Sequence, residues 1–402
     1  MKIEQFKEKL EQGLNTGFIA PPSLEEEPKQ WLGGGAVSIP YFIRKPDGNW
    51  EIIKITGEIQ NFLLFDSMGC VSNSWTNSND KQIEFFRKNG VVITAGIKDW
   101  LATRGVQVET GNYVIDEEKI KDWIDENGKF NTSNRFLAKT SNTSEYGNSP
   151  MNVGDAALEY GLPPESVWSI KKFIEEGFNR AEFYKTPPQS VKDFGLRFKE
   201  LFYTPYERLP DTKQSTFEKY LKRAPIWWAS ATCSGWQDSE IVNACSLSPN
   251  HMTLGQGLKL NEHLEDYDSY NPFDKKLAWN YRIYFPYQMV VFPKMEVLKK
   301  KPQSEEESEA YTMKISIEVV KRLRPNTTDK YDYFMRDQKQ PALWHRIGNE
   351  KVFFAVVGDF LPEIEELDIA DESIGEPIYL ASSLGEILVL MINNFFNKLK
   401  GR

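Results

Sequence analysis

Hydrophobic periodicity divides this chain into a helical first part and a strand-rich second part. Apolar side chains recur at three- and four-residue spacings from Cys70 to Asn89, with Trp75 and Phe86 on one face, which predicts a long helix. A second helix is predicted from Met151 to Tyr160, because Gly161 and two prolines soon after it are typical of a helix C-terminus.

Short strands are predicted after residue 225, where β-branched and aromatic residues replace the helical spacing. They are expected at Ile226–Thr232, Met252–Leu254, Glu265–Tyr270 and Tyr281–Phe292. Earlier in the chain, an Asp-Gly turn at 47–48 predicts a β-hairpin that pairs Tyr41–Ile43 with Trp50–Ile53. Helices followed by strands indicate an α+β domain.

A charged, proline-containing run predicts a linker and divides the chain into segments. They are an N-terminal arm (1–30), a main domain (31–298), the linker (299–309), a small β-containing module (310–375) and a C-terminal helix (376–402). Strands of the module are expected at Tyr311–Val319 and Val352–Val357. Because residues 384–399 are apolar on almost every side, we expect this helix to dock on a second copy or a larger assembly.

Composition narrows the class of protein. Hydrophobic residues make up 40% of the 402 residues, which is enough for a packed core. With 49 basic and 58 acidic side chains the net charge is −9, so no nucleic-acid partner is expected. No apolar run has the roughly 18 residues of a membrane-spanning helix, so no transmembrane segment is expected. Three cysteines indicate a reducing compartment, or an exterior protein that does not depend on disulfides.

Most of the cysteines and histidines are expected to have structural positions. Cys233 and Cys245 could form one bridge at most, and His263 is expected in solvent because its neighbours are acidic. The spacing of these residues lacks the close pairs of zinc modules, so we expect no metal and no cofactor. Aromatic residues of this region, including Trp236, are assigned to interior positions of strands.

One cysteine stands where a thiol nucleophile would need to be. Cys70 opens the first predicted helix directly after Gly69, and a helix N-terminus favours a thiolate. A nucleophile also needs an imidazole base and a third polar group that orients it. His251 begins a predicted strand and Asp268 lies on the next, so antiparallel pairing would bring them side by side. Cys70, His251 and Asp268 are therefore the candidate catalytic residues.

These segments resemble the motifs of papain-like cysteine peptidases. The resemblance lies in Asp66-Ser67-Met68-Gly69-Cys70-Val71-Ser72, Asn250-His251 and Asp268-Ser269-Tyr270, and it extends over about residues 55–295. More specifically, they resemble the divergent papain-type domains of bacteriophages and uncultured microbes. The resemblance implies a helical lobe and a β-barrel lobe with the reacting groups in the cleft between them, and a polypeptide substrate whose amide bond is hydrolysed.

The resemblance also implies a role for each residue. Cys70 would be the nucleophile and His251 the base and acid, while Asp268 stands where the better-known peptidases have Asn. Gly147, Asn148 and Ser149 would form part of the wall on the non-primed side of the substrate.

Two positions depart from the pattern of the family. Its oxyanion glutamine lies shortly before the cysteine, where this chain has Leu64, and Gln60 is the nearest glutamine. The tryptophan that follows the cysteine of the family is replaced by Val71.

Two other functions fit the same residues. The chain would be a catalytically weak or inactive papain-fold structural protein of a phage or virus particle, assembled through its C-terminal helix. Alternatively, it would be a related acyl-transfer enzyme, such as a transglutaminase or a peptidoglycan amidase, because Cys-His-Asp sets serve those reactions as well. The expected location is the cytoplasm, or the virion if a phage encodes the chain.

Overall fold

The computed structural model describes residues 17–21, 38–57, 59–60, 66–170, 179–232, 234–245 and 247–301, and the backbone of three strands after residue 301. Two compact units make up the chain, Met1–Lys301 and Pro302–Arg402. The helix predicted within 376–402 lies outside the described residues, as does most of the N-terminal arm. The five-segment division therefore stays a prediction.

The first unit contains both helices and strands, and most of its helices come earlier in the chain than most strands of its largest sheet, which is the arrangement of an α+β unit. The helices are α1 (Cys70–Asn89), α2 (Ala95–Ala102), α3 (Glu117–Ile120), α4 (Asn134–Thr140), α5 (Pro150–Tyr160), α6 (Arg180–Phe183), α7 (Gln189–Leu201) and α8 (Gln214–Leu221), with 3-10 turns at Lys121–Trp123, Glu165–Val167 and Met295–Val297. The strands are β1 (Val91–Ile93), β2 (Gly111–Ile115), β3 (Phe202–Tyr203), β4 (Tyr206–Arg208), β5 (Ile226–Ser230), β6 (His251–Lys259), β7 (His263–Tyr267), β8 (Asp274–Ala278), β9 (Tyr284–Met289), β10 (Phe292–Pro293), β11 (Leu298–Lys300), β12 (Val319–Leu323), β13 (Tyr331–Arg336) and β14 (Trp344–Asn349).

Helix α1 has the predicted limits and lies inside the first unit. Its side chains are buried along nearly the whole length, although many of them are polar. Neighbouring elements satisfy these polar groups: Ser74 donates to the carbonyl of Met252 (3.0 Å), and Gln82 donates to that of Met289 (3.0 Å). The helix is therefore bonded directly to β6 and β9, and its first residue is held next to the sheet.

A six-stranded antiparallel sheet follows in the chain, with the order β4-β9-β5-β6-β7-β8. His251 begins β6 and lies opposite Ser230, the last residue of β5. β7 ends at Tyr267, so Asp268 follows the strand instead of lying in it as predicted. Within the described ranges no pairing joins β4 to β8, so the closure of the predicted barrel is not shown.

Aromatic packing fixes α1 on this sheet. The ring of Trp75 lies 5.0 Å from that of Trp227 and 5.5 Å from that of Tyr206, in edge-to-face contacts. All three side chains are fully buried. Each large apolar side chain buried in this way contributes roughly 1.5–3 kcal/mol. This contact therefore holds the first half of α1, and with it Cys70, against the sheet whose strand β6 carries the candidate base.

The β-hairpin predicted around residues 47–48 is wrong. Gly48 forms a turn with a φ of 61°, but residues 38–57 contain no strand. Trp50 is instead anchored individually, since its indole donates to the carbonyl of Leu221 (2.7 Å) and its amide to that of Gln256 (2.6 Å). The sequence pattern predicts that Trp50 pairs with a neighbouring strand. Its amide and its indole instead donate to carbonyl groups far away in the chain, so no strand partner is needed to satisfy them.

The second unit contains an antiparallel sheet with the order β12-β13-β14. Val319 begins β12 and is the last residue of the predicted strand at 311–319. The rest of that strand, and the strand predicted at Val352–Val357, lie outside the described residues. In the first unit, Lys299 and Lys300 belong to β11, which pairs with β2, so the predicted linker begins inside a strand.

Candidate active site

Cys70 is a free thiol at the first residue of α1, and it is fully buried. Gly69 caps the helix without a side-chain hydrogen bond, so amides of the first turn are left near the sulfur. The backbone amides of Met252 and Val71 face the thiol and favour its ionised form. Burial has the larger effect and raises the pKa of Cys70, and the carboxylates of Asp66 and then Asp268 raise it further. The thiol is therefore neutral in this closed arrangement.

His251 and Asp268 meet in the interior beside α1. Nε2 of His251 lies 2.6 Å from Oδ1 of Asp268, and both side chains are fully buried. Nδ1 of the same ring is buried and has no hydrogen-bond partner among the residues that the structure describes. Because an ionised carboxylate only accepts, it holds the ring proton on Nε2 and leaves Nδ1 as an acceptor. A general base needs an imidazole in this tautomer.

The carboxylate of Asp268 is surrounded by donors and a cation. Oδ1 also accepts from the amide of Ser269 (2.6 Å), whereas Oδ2 accepts from the indole of Trp236 (2.8 Å) and lies 3.8 Å from the ammonium of Lys275. Burial alone would raise the pKa of Asp268. His251, Lys275 and Trp236 together outweigh burial and hold the pKa of Asp268 below its ordinary value. Asp268 is therefore ionised at neutral pH.

Two aromatic rings enclose the imidazole of His251. Tyr270 stacks on it with centroids 4.9 Å apart and 21° between the planes, and Trp236 meets it edge-on at 5.9 Å and 88°. Both aromatic side chains are buried, so water is kept from the His251–Asp268 bond and the local dielectric is low. Trp236 lies in the loop between β5 and β6, not inside a strand as the sequence pattern predicts.

Gln60 lies in a buried hydrogen-bond network beside these residues. Its side-chain amide donates to Oδ1 of Asp66 (3.1 Å) and to the hydroxyl of Tyr270, and its carbonyl accepts from Ser269 (2.9 Å). Tyr270 donates in turn to Oδ2 of Asp66 (2.8 Å). Both amide hydrogens of Gln60 are thus engaged, so an oxyanion role for Gln60 requires this network to rearrange. In the closed structure the network ties the segment before Cys70 to the end of β7.

The predicted substrate wall is in contact with the N-terminal part of the chain itself. The amide of Ile19 donates to the carbonyl of Asn148 (2.8 Å), and the amide of Asn148 donates to that of Gly17 (2.9 Å). Gly147 has a φ of 101°, and an added side chain there would collide with Gly17. Gly17 also packs against the backbone of Met68, two residues before the candidate nucleophile. Residues 17–19, the N-terminal segment, therefore occupy the space between the wall and the start of α1.

The other two wall residues stabilise the local backbone. The side chain of Asn148 is buried and donates to the carbonyl of Ser141 (2.9 Å) and the hydroxyl of Thr143 (3.0 Å). Ser149 caps α5 by accepting from the amide of Asn152 (3.3 Å). A substrate would therefore meet the backbone of this wall and not these side chains.

Cys245 and His263 have structural surroundings. Cys245 is disulfide-bonded, whereas Cys233 lies outside the described residues. The expected exposure of His263 is wrong: the residue is 4% exposed, and its Nε2 lies 2.6 Å from Oε1 of Glu265. The acidic neighbour that suggested solvent exposure is its buried partner, two residues along β7 and on the same face.

No protein-family model matches this chain, and no curated protein does. Among solved structures it is similar to procathepsin L 3 of Tenebrio molitor larval midgut, with 14% identity and a TM-score of 0.37 over 67% of this chain and 79% of that one. It is also similar to the Amb a 11 cysteine protease, a ragweed pollen allergen, in its proform, with 11% identity and a TM-score of 0.38 over 68% of this chain and 70% of that one. Bromelain from Ananas comosus, in complex with the E64 inhibitor, matches with 12% identity and a TM-score of 0.32 over 61% of this chain and 97% of its own. None of the three comes from a bacteriophage, so the phage type of the family stays a prediction.

Taken together, the buried groups form an acceptor nitrogen, an ionised orienting group and a thiol at a helix start. This set is suited to proton transfer and nucleophilic attack once the thiol is exposed. None of the described helices is both long enough and apolar enough to cross a membrane.

Proposed function

We propose that this chain is a papain-like cysteine peptidase that hydrolyses an amide bond of a polypeptide. Cys70 is the nucleophile, His251 the base, and Asp268 the group that orients His251. The main support is the buried 2.6 Å contact of His251 with Asp268, which leaves Nδ1 without a partner among the described residues. The amide of Met252, the next residue along β6, faces the Cys70 sulfur. The helical lobe, the barrel lobe and the cleft between them belong to the same proposal.

The chemistry follows from the roles of the two nitrogens of His251. Nδ1 takes the thiol proton while the Cys70 sulfur bonds to the substrate carbonyl carbon, and amides at the start of α1 stabilise the oxyanion. Nδ1 then gives that proton to the leaving amine as the C–N bond breaks and a thioester forms. Water attacks the thioester, its proton passes to Nδ1, and the acid product leaves as the thiol is restored. Approach of the sulfur to Nδ1 is part of this proposal.

The closed structure requires one step before this chemistry. Cys70 is fully buried and neutral, and the N-terminal segment covers the backbone of Gly147 and Asn148. A polypeptide substrate would pair with the same backbone groups by adding an extended strand. Binding of substrate therefore competes with the N-terminal segment.

Covalent labelling of the full chain with an epoxide thiol trap, followed by mass spectrometry, tests the proposal. Cys70 should be the labelled residue near neutral pH. Because a positioned general base contributes about 10²-fold or more, His251→Ala should slow the labelling by about that factor, and Asp268→Asn should slow it in the same direction.

His263→Ala is a matched control for this experiment. His263 is also buried, and it makes a carboxylate contact of the same length, 2.6 Å, on the neighbouring strand. It pairs with Lys259 at the opposite end of β6 from His251, so its replacement should leave the labelling rate unchanged. Equal slowing in His251→Ala and His263→Ala would show that the labelling reports only on folding, and the peptidase proposal would be refuted.

The same experiment separates the other functions. A folded chain whose Cys70 stays unlabelled, even when the N-terminal segment is displaced, would favour a structural protein of a phage or virus particle. If Cys70 is labelled and the protein also transfers an acyl group to an added amine, the activity is that of a transglutaminase. If Cys70 is labelled and the protein cleaves the stem peptides of peptidoglycan, the activity is that of an amidase. Assembly through residues 376–402 and a virion location rest on the sequence alone.

A further inference from the structure

A buried lysine lies on the far side of the orienting carboxylate from the imidazole. Lys275 is 6% exposed, although it carries a long charged side chain. Its Nζ lies 3.8 Å from Oδ2 of Asp268 and 5.9 Å from the centre of the Trp236 ring. Nζ has no hydrogen-bond partner among the described residues. An ammonium group buried with so few partners is costly unless a nearby charge compensates it.

Several other titratable groups lie near Asp268, and the charge of Asp66 reaches this cluster through Tyr270, which donates to its carboxylate at 2.8 Å. Asp266 on β7 lies opposite Lys275 in the register of β7 with β8. Burial, and then the charge of Asp268, raise the pKa of Asp266, which favours its neutral form. Cys70 on α1 is neutral, and burial raises the pKa of Tyr270. Lys275 thus faces Asp268 from 3.8 Å away, and its charge helps to lower the pKa of that carboxyl group.

We propose that Lys275 is a positioning residue of the candidate active site, whose ammonium group keeps Asp268 a carboxylate through every protonation state of His251. The step that needs it comes after His251 has given its proton to the leaving amine, when Asp268 would otherwise be a buried anion without a countercharge. If Asp268 took up a proton on Oδ1 at that point, it would donate to Nε2 instead of accepting from it, the ring proton would lie on Nδ1, and Nδ1 would cease to be the acceptor. The part of this role that concerns catalytic turnover rests on the proposed peptidase function, whereas the pairing of Lys275 with Asp268 does not.

A double-mutant cycle between Lys275 and Asp268 tests this role. Lys275→Met removes the charge and keeps much of the side-chain volume, whereas Asp268→Asn removes the need for a countercharge. With Asp268 present, Lys275→Met should slow epoxide labelling of Cys70 by about tenfold or more at pH 7, and should move the acid limb of the pH–rate profile upward by about 1–3 pH units. In the Asp268→Asn background the same change should alter the rate by less than about threefold.

Two further variants distinguish charge from packing. Lys275→Arg keeps the charge and should restore the position of the acid limb. Lys276→Met, on the opposite face of β8 and paired with Glu265 in the register, should leave the profile unchanged. An acid limb that does not move in Lys275→Met, or an equal loss of rate in both backgrounds, would overturn the proposal.

The free energies of unfolding of the same four proteins, measured with urea, give a second double-mutant cycle between Lys275 and Asp268. This measurement does not depend on enzymatic activity. If Cys70 is unreactive in the wild type at every pH, the peptidase proposal fails, but the unfolding midpoints still test the pairing of Lys275 with Asp268. The proposal expects the double variant to be more stable than the sum of the single losses. If Lys275→Met does not fold, folding of the double variant supports the proposal, and failure of both to fold overturns it.

Discussion

Replacement of Trp236 by Phe tests whether the carboxylate it contacts is ionised. The indole of Trp236 donates to Oδ2 of Asp268 at 2.8 Å, and the side chain is 2% exposed. Trp123 is a matched control, because its indole donates at 2.9 Å to the neutral carbonyl of Leu162 and its side chain is 1% exposed. Both replacements delete the same atoms from a buried site, so their cavity costs are comparable.

The difference between the two variants measures the charge of the acceptor. A hydrogen bond to a charged group contributes about 1.5–3 kcal/mol, against about 0.5–1.5 kcal/mol for a neutral pair. Trp236→Phe should therefore lower the free energy of unfolding by about 1 kcal/mol more than Trp123→Phe does. Urea unfolding of the full chain at pH 7 measures both losses, provided that the slopes of the two transitions agree.

The extra loss of unfolding free energy in Trp236→Phe should depend on pH in a direction that follows from the pKa of Asp268. The pKa of Asp268 is lower in the folded chain, so its contribution is complete above the unfolded value near about 3.9 and is lost as the pH falls through the folded value. The extra loss in Trp236→Phe should be constant above about pH 5 and should shrink below about pH 4. Equal losses in the two variants at every pH would refute the conclusion that Asp268 is a buried carboxylate held by these donors.

Two further predictions use matched pairs of variants. Burial lowers the pKa of Lys81 to about 7, so the unfolding free energy should rise between about pH 7 and the ordinary lysine value near 10.4. Urea unfolding of Lys81→Met should lose that rise, whereas Lys88→Met, at an exposed position of the same helix, should keep it. An unchanged rise in Lys81→Met would contradict the assignment. A methyl group at Gly147 would collide with Gly17, so Gly147→Ala should release the N-terminal segment and speed epoxide labelling of Cys70. Gly128→Ala, also at positive φ but with nothing within 4 Å, should leave the rate unchanged, and equal rates in the two variants would argue against a covering role for that segment.

Local sequence signals were sufficient for the elements whose limits depend on neighbouring residues. Helix α1 begins at Cys70 and ends at Asn89 as its periodicity predicts, and α5 ends before Gly161, which adopts a φ of 67°. Such limits depend on spacing and capping within a few residues, and these are visible in the chain itself. The hairpin around Gly48 failed for the converse reason, since hydrogen bonds to distant carbonyls decide where Trp50 lies.

For the candidate site, the residue types and their order along the chain indicated Cys70, His251 and Asp268, because a nucleophile, a base and an orienting group are chemically distinctive. The surroundings that set their charge could not be predicted in the same way. Trp236 reaches Asp268 from a loop, and Lys275 reaches it from β8. Neither residue is marked by a local pattern, because the register of the sheet and the path of the loop bring them to the carboxylate. Burial is also a tertiary property: it makes the Cys70 thiol neutral in the closed chain, whereas a helix start alone would favour the thiolate.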